Sequence, residues 1–441
     1  MKRFSRFPAV LTALCLLLSL LCGCKMGAGI DELYSLPQLS DEYLDLQKTI
    51  DSVMAAGAVY AAPVGGTHRQ SVQLYDLNGD GTDEALAFFS TTGERPLKIY
   101  VFIQTEYGYE RAAVIEGEGR SIENIEYLDM DGDGWSEIVV GWGMGSDLKM
   151  LNLYSLKGFQ VASIAAADYT KFLTADMNGD ENPELMVLRQ GTSEAPGSVT
   201  LLSMDREGEI VTAAENLSAG LESISKVNSG RLKDNKTGLF VEGTCQGGLV
   251  TDILVYLNGE LNNITLDPDT GFSAETFRNS TAAFRDLNEA GTPLVPIPRA
   301  LNAQSETVYR VLDWYLYSSK GSRSIVCTTY HNYTDSWYLT LPDSWNDILT
   351  VRREDTNAGE RGVVFSLWNE GNVIDFMAIY ALSGENRRDM AQKNGRSILY
   401  AGSETIYAVE LRMSRNEWVD MPDLSYLRKN FHLIYSEWIA Q

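Results

Sequence analysis

Three nine-residue stretches carry the residues best placed to do chemistry: Asp76-Leu-Asn-Gly-Asp80-Gly-Thr-Asp-Glu84, Asp129-Met-Asp-Gly-Asp133-Gly-Trp-Ser-Glu137 and Asp176-Met-Asn-Gly-Asp180-Glu-Asn-Pro-Glu184. Each puts side-chain oxygens at positions 1, 3, 5 and 9, the donor type and close spacing that a hard cation such as calcium takes from a tight turn. Carboxylates so close repel one another until a cation offsets them, so binding would also fix the turn. The plain alternative is a hydrated acidic turn without metal. The third copy departs from the other two. Glu181 stands where Gly81 and Gly134 occupy position 6, and glycine alone takes a positive φ cheaply, so this copy is expected to be strained or weaker.

No catalytic constellation accompanies these loops. His68, His331 and His432 are far apart in sequence, and neither a His-x-Glu-x-x-His nor a Cys-x-x-Cys zinc pattern occurs. There is no Gly-x-Ser-x-Gly elbow and no Walker loop. Gly141-Trp-Gly-Met-Gly145 is glycine-rich but lies between two expected strands and opens no helix, which argues against a phosphate cradle. Trp135, Trp142, Tyr107 and Tyr109 fall at loop or hairpin positions, where they would either pack between sheets or form a recognition face.

The elements that must position the loops repeat with them. The loops start 53 and then 47 residues apart, and each runs directly into an apolar stretch: Ala85–Phe89, Ile138–Val140 and Leu185–Leu188. Short β-rich runs joined by glycine-containing hairpins follow, so each unit suits a four-stranded blade of a β-propeller. Two worn units continue the series. Leu232–Gly243 occupies the loop and strand of a fourth, and Asp286-Leu-Asn288-Glu-Ala-Gly291 is a relic of the loop in a fifth. Both have lost too many oxygens to hold a cation tightly. The expected fold is mainly β: a propeller of about five recognisable blades over residues 68–332, with a sixth left open that would draw on residues 58–75 and the later chain. A small α+β domain over 333–441 follows, with a final helix through Leu424, Leu427, Phe431, Ile434 and Trp438. Before the propeller, residues 24–67 read as a tether and an amphipathic helix carrying Leu39, Tyr43, Leu46, Ile50 and Val53, stopped by Gly57.

Residues 1–23 combine Lys2, Arg3 and Arg6 with an apolar run from Val10 to Leu21 that is too short for an ordinary spanning helix. The run ends Leu21-Cys22-Gly23-Cys24, which resembles the bacterial lipoprotein lipobox. That resemblance implies a signal peptide cleaved before Cys24, a lipid on its sulfur, and anchoring outside the cytoplasmic membrane through the lipid alone. Cleavage removes three positive charges and no acidic ones, taking the formal charge from −24 to −27. A surface so acidic disfavours nucleic acid and anionic lipid as partners. Of the remaining cysteines, Cys245 and Cys327 could form one disulfide or stand as two apolar thiols.

Position 12 of each loop sorts the known users of this pattern. A helix-flanked calcium hand needs a bidentate Glu there, whereas this chain has Ala87, Val140 and Val187 inside expected strands. With an acid at position 9 and a strand from position 10, the loops resemble the FG-GAP/VCBS calcium loop of integrin-type β-propellers, over residues 68 to about 330. The resemblance implies up to three structural Ca2+ sites. The first comprises Asp76, Asn78, Asp80 and Glu84 with the carbonyl of Thr82. The second comprises Asp129, Asp131, Asp133 and Glu137 with that of Trp135, and the third Asp176, Asn178, Asp180 and Glu184 with that of Asn182. Propellers of this kind mostly serve adhesion, which points to an extracellular or envelope protein or glycan as partner. The opening Leu341-Pro-Asp-Ser-Trp345 is similar to small PsbP-like domains of bacterial surface lipoproteins and implies no activity. The rival reading is a glycan- or peptide-directed envelope hydrolase with its site in the propeller channel or at the domain junction; a third is an accessory subunit of an envelope machine.

Overall fold

A computed structural model of the 441-residue chain describes residues 41–205, 207–302, 307–357 and 359–434. The expected signal peptide, Cys24 and the tether to residue 40 lie outside the described residues, as does Trp438. Within them the chain is mainly β and forms six antiparallel sheets of four or five strands. No helix among the described residues is long and apolar enough to cross a membrane.

Each of the first three sheets begins with a hairpin closed by an acidic loop. Val72–Tyr75 pairs with Glu84–Ser90, Ser121–Leu128 with Glu137–Gly143, and Lys171–Ala175 with Glu184–Arg189. The registers are equivalent: Tyr75, Leu128 and Ala175 sit opposite Glu84, Glu137 and Glu184. Position 9 of every loop is therefore the first residue of the second strand. Those second strands read as unbroken apolar runs because both their faces are covered. Along Glu84–Ser90, Leu86 and Phe88 pack toward the second sheet with Ile138, Val140 and Trp142. Ala85, Ala87 and Phe89 point the other way, against Leu46 and Ile50 of helix α1 (Asp41–Ala55). That is the period-2 alternation of a strand.

The same division repeats down the chain. Val139 joins Leu185 and Val187 between the second and third sheets, and Met186 and Leu188 join Leu239 and Val241 between the third and fourth. Phe240 meets Val295 and Tyr317 between the fourth and fifth. Val363 and Phe365 meet Trp337 and Leu339 between the fifth and sixth. The opposite face of the sixth sheet, with Val364, Ala378, Tyr380 and Ala408, is covered by Met390 of α2 (Arg387–Met390) and by Ala391. The six sheets thus share their cores in single file, with α1 on the outer face of the first and α2 on that of the last.

The sheets number six rather than the five units countable in the sequence. The sixth is built from Leu349–Asn357, Glu360–Asn369, Asn372–Ser383, Ser397–Ala401 and Thr405–Leu411. Its apolar alternation was legible, but without an acidic loop nothing tied it to the series. Residue 333 falls inside the fifth sheet, which continues from Arg323–Asn332 into Trp337–Leu341 and then takes Phe431–Leu433 as a further strand. The final helix is correspondingly shorter than expected. Helix α3 (Leu424–Asn430), capped by Asp423 accepting from the Tyr426 amide at 2.8 Å, stops before Phe431, which is in the strand instead. The β-sheet hydrogen bonds open at the edge of Trp337–Leu341 outweigh helical periodicity here. At the other end, Val59–Tyr60 and Ala61 run against the first sheet, and the Val64 and Gly65 amides donate to Ile122 and Glu123 of the second.

Two polar features are buried with the apolar cores. The segment between the fourth and fifth sheets is pinned by Arg278, which pairs with Glu242 at full burial and also donates to Thr251 and the Ala282 carbonyl. The second is a cross-strand row of stacked rings in which buried His331 and Tyr338 are followed by exposed His432, with centroids 5.1 and 4.8 Å apart. Burial holds the His331 imidazole down to about 3. An imidazole that resists protonation only when folded adds stability above its unfolded pKa, near 6.5, and loses it as pH falls toward 3. Replacing His331 by Gln should therefore flatten the acid limb of the stability curve between those values in urea titrations. Trp337→Ala should cost about 3–5 kcal/mol and should unfold the fifth and sixth sheets in one transition, read by paired fluorescence and circular dichroism.

Candidate functional site

The three acidic loops are the same object built three times. Position 1 is the hub: the Oδ1 atoms of Asp76, Asp129 and Asp176 accept from the position 4 amides of Gly79, Gly132 and Gly179 at 2.8, 2.9 and 2.6 Å. Their Oδ2 atoms accept from the position 6 amides of Gly81, Gly134 and Glu181 at 2.9, 2.9 and 3.1 Å. At position 3, Asn78, Asp131 and Asn178 each accept from the position 5 amide. At position 5, Asp80, Asp133 and Asp180 accept from the amides of Thr82, Trp135 and Asn182. Glu84, Glu137 and Glu184 are buried and accept from the position 2 amides of Leu77, Met130 and Met177. Every expected side-chain ligand is thus brought to its own loop, and each position 7 residue is tied in by its amide.

The loops differ in how their charge is met. In the first and third, the Asn78 and Asn178 amide groups donate to the closing Glu84 and Glu184. Asp131 cannot donate when ionised, and in the second loop Asp129, Asp131 and Glu137 offer oxygens that all lie within 4.8 Å of one another. Burial, reinforced by the neighbouring aspartates, pushes Glu137 and Glu184 up to about 7 and raises Glu84 as well. Burial likewise raises Asp131. At Asp133 the effect of burial is outweighed by hydrogen bonds from Lys157 and the Trp135 amide, which lower it. A cation bound among these carboxylates would favour their charged forms. The donor set, all oxygen and mostly carboxylate, suits a hard divalent ion.

The loops also nest against one another. The Ser136 amide donates to the Leu77 carbonyl at 2.8 Å, linking the second loop to the first. A Cβ on Gly79 would lie 2.8 Å from the Gly134 carbonyl oxygen, and one on Gly132 would lie 2.9 Å from Asn182 Oδ1. At Gly79 and Gly132 the glycine therefore serves both a positive φ and the approach of the next loop, whereas Gly179 serves the positive φ alone. This role was missed in the sequence, although glycine at that position in all three copies was its signal. Lys157, from the following hairpin of the second sheet, was missed as well; only the fold carries it to Asp133.

Glu181 has φ +75°, the left-handed conformation its glycine counterparts adopt, so the strain expected of the third loop is present. The relic Asp286 still accepts from the Gly291 and Thr292 amides, so the turn outlives the acid cluster in the fifth sheet. Ala87, Val140 and Val187 are buried in strands. Of the four aromatics flagged by position, Trp142 and Tyr109 are buried and Trp135 packs edge-on against Phe159; Tyr107 is 90 % exposed. Gly141-Trp-Gly-Met-Gly145 serves packing, since the lack of a Cβ on Gly141 leaves room for the Tyr169 hydroxyl and Asn124. Cys245 and Cys327 are free thiols in the fourth and fifth sheets.

No family model matches the chain, and no curated protein matches it. Among solved structures it is similar to a protein from Lactobacillus plantarum, 9% identical over 71% of this chain and 85% of that one, with a TM-score of 0.31. It is similar at 10% identity to the exotype rhamnogalacturonan lyase YesX, over 77% and 85% of the two chains, with a TM-score of 0.30. The V. cholerae biofilm matrix protein Bap1 is 12% identical over 79% and 70%, with a TM-score of 0.19. Likenesses this distant do not bear on activity.

Two substitutions test the loop geometry. Glu181→Gly should stabilise the protein by about 1 kcal/mol by relieving the left-handed strain. Gly132→Ala should destabilise it by about 1–3 kcal/mol. Both are read as shifts in urea midpoint at unchanged slope.

Proposed function

We propose that this protein is an extracytoplasmic lipoprotein whose propeller-type sheets are stabilised by calcium and bind a protein or glycan partner. The observation that carries the reading is the threefold recurrence of one hydrogen-bonded acidic loop at equivalent registers of successive sheets, each loop nested on the next. Asp76, Asn78, Asp80 and Glu84 would hold one ion, Asp129, Asp131, Asp133 and Glu137 a second, and Asp176, Asn178, Asp180 and Glu184 a third, completed by the carbonyls of Thr82, Trp135 and Asn182. The second loop has the strongest claim because Asp129, Asp131 and Glu137 bring oxygens within 4.8 Å of one another. The ions would neutralise the loops and lock the turns that feed the buried second strands, a structural role rather than a catalytic one. The lipobox ending at Cys24 supports anchoring by lipid, and the acidic surface supports a partner other than nucleic acid.

Adding EDTA to the full-length protein in detergent should lower its melting temperature, and excess calcium should restore it. At a hundredfold excess of free ion over Kd, one site contributes about 2.7 kcal/mol. Asp131→Ala should remove most of the second loop's share. An unchanged melting temperature with EDTA would sink the calcium assignment. Cys24→Ser should abolish incorporation of labelled palmitate in a bacterial host, and affinity capture from envelope extract, with and without calcium, tests the partner.

A further inference from the structure

Away from the acidic loops, the first strands of three successive sheets line one cleft of about 660 Å³. Its walls come from Ser121–Leu128, Lys171–Ala175 and Ser223–Arg231, with the start of Lys149–Ser155 and the Val64–Gly66 segment closing one side. In a chain with a formal charge of −24, this cleft inverts the sign. Lys149, Lys171 and Lys226 all line it, and the one carboxylate among the lining residues is Glu123.

The lysines are held, yet each keeps donors to spare. Lys149 pairs with Glu123 at 2.9 Å. Lys171 donates to the Ser225 carbonyl at 3.1 Å, and Lys226 to the Phe284 carbonyl at 2.9 Å while lying over the Phe284 ring. An ammonium has three N–H donors, so these contacts position the nitrogens without exhausting them. Among the lining residues three lysines stand against one carboxylate, and behind Lys226 lie Glu242 and Arg285, one of each sign. Burial lowers both Lys171 and Lys226; Lys149 adds to the effect at Lys171, and at Lys226 the Glu242 carboxylate opposes it.

The remaining lining is of another kind. Tyr169 donates to Asn124 Oδ1 at 3.2 Å, a pairing for which Gly141 leaves the space. Thr170, Ser225 and the backbone of Gly65 and Gly66 add small neutral polar groups, and Phe172 adds a ring. Neutral hydroxyl and amide groups beside aromatic rings suit a polyhydroxylated ring, and fixed ammonium groups suit an anionic substituent on it. A divalent cation is the wrong occupant for such a surface, and so is an acidic peptide segment of this chain, which would not use the neutral groups.

We infer that this cleft binds an acidic saccharide, its carboxylate or phosphate held by Lys149, Lys171 and Lys226 and its ring set among Tyr169, Asn124 and Phe172. This deepens the binding role proposed above and rests on the partner being a glycan. The cleft volume admits a unit of two or three sugars rather than a flat protein face. The surrounding negative surface would slow the approach of such a ligand, so the selectivity resides in the cleft and not in long-range steering.

The test is calorimetric titration of the full-length protein in detergent with trigalacturonate, mannose 6-phosphate and neutral maltotriose. At least one acidic sugar should bind, at least tenfold more tightly than maltotriose, and the affinity should fall with added salt. The two acidic probes separate a carboxylate ligand from a phosphate one. Lys171→Met and Lys226→Met should each weaken binding about tenfold or more, and so should Lys149→Gln, a milder change at a more exposed site. Melting curves of the same variants establish that the fold persists. Binding of neither acidic sugar, equal binding of maltotriose, or affinity indifferent to all three lysine substitutions in folded variants would overturn the assignment. Capture of an envelope partner by a protein that binds none of these sugars would reject the cleft and leave the broader binding role standing. Loss of both would reject both.

Discussion

The structure depends on a simple requirement: a sheet with two apolar faces must have both covered. The second strands of the first three sheets are apolar on both sides, so none of these sheets can be the outside of anything. The second and third sheets lend one face to the sheet before and the other to the sheet after, and the first lends one face to the second. The chain ends that process with helices. Leu46 and Ile50 of α1 cover the outer face of the first sheet, and Met390 of α2 with Ala391 covers that of the sixth. A short amphipathic helix is a sensible terminator, since it supplies one apolar stripe and turns a polar side to water.

Within that stack the acidic loops do two jobs. Each closes the hairpin whose second strand is most deeply buried, and each rests on its neighbour through glycines that allow close approach. Errors in one loop would therefore be felt in the next. The buried closing glutamates are where charge and fold conflict most directly: Glu84, Glu137 and Glu184 must be buried to cap the position 2 amides, yet burial beside aspartates favours their protonated form. A bound cation would relieve that conflict. Lys157 beside Asp133 is a partial, monovalent answer at one loop alone.

The sixth sheet and the edge strand Phe431–Leu433 extend the stack beyond the repeats that announce it. The fifth sheet takes strands from both sides of the 337–434 region, and Trp337, Phe365 and Phe431 pack in one core. The described residues after Leu341 are thus bound into the series although they lack its signature. A packing boundary is a matter of shared cores, and the disappearance of a loop motif does not mark one.

What the sequence determined by itself was everything that local periodicity and local chemistry dictate. The alternation in Ala85–Phe89 and Leu185–Leu188, the glycine hairpins, the amphipathic helix before Gly57 and the three oxygen-bearing loops could all be read, because each depends on residues a few positions apart. So could the strain at Glu181, which follows from the absence of glycine. Only the tertiary structure decided which sheets share a core, that Phe431 would join a strand edge instead of extending a helix, and that Gly79 and Gly132 would make room for a neighbouring loop. It also brought Lys149, Lys171 and Lys226 to a single cleft, from positions as much as 77 residues apart in the chain. Those outcomes depend on contacts between distant segments, whose partners are chosen by the burial of whole faces, and no short stretch of sequence records that choice.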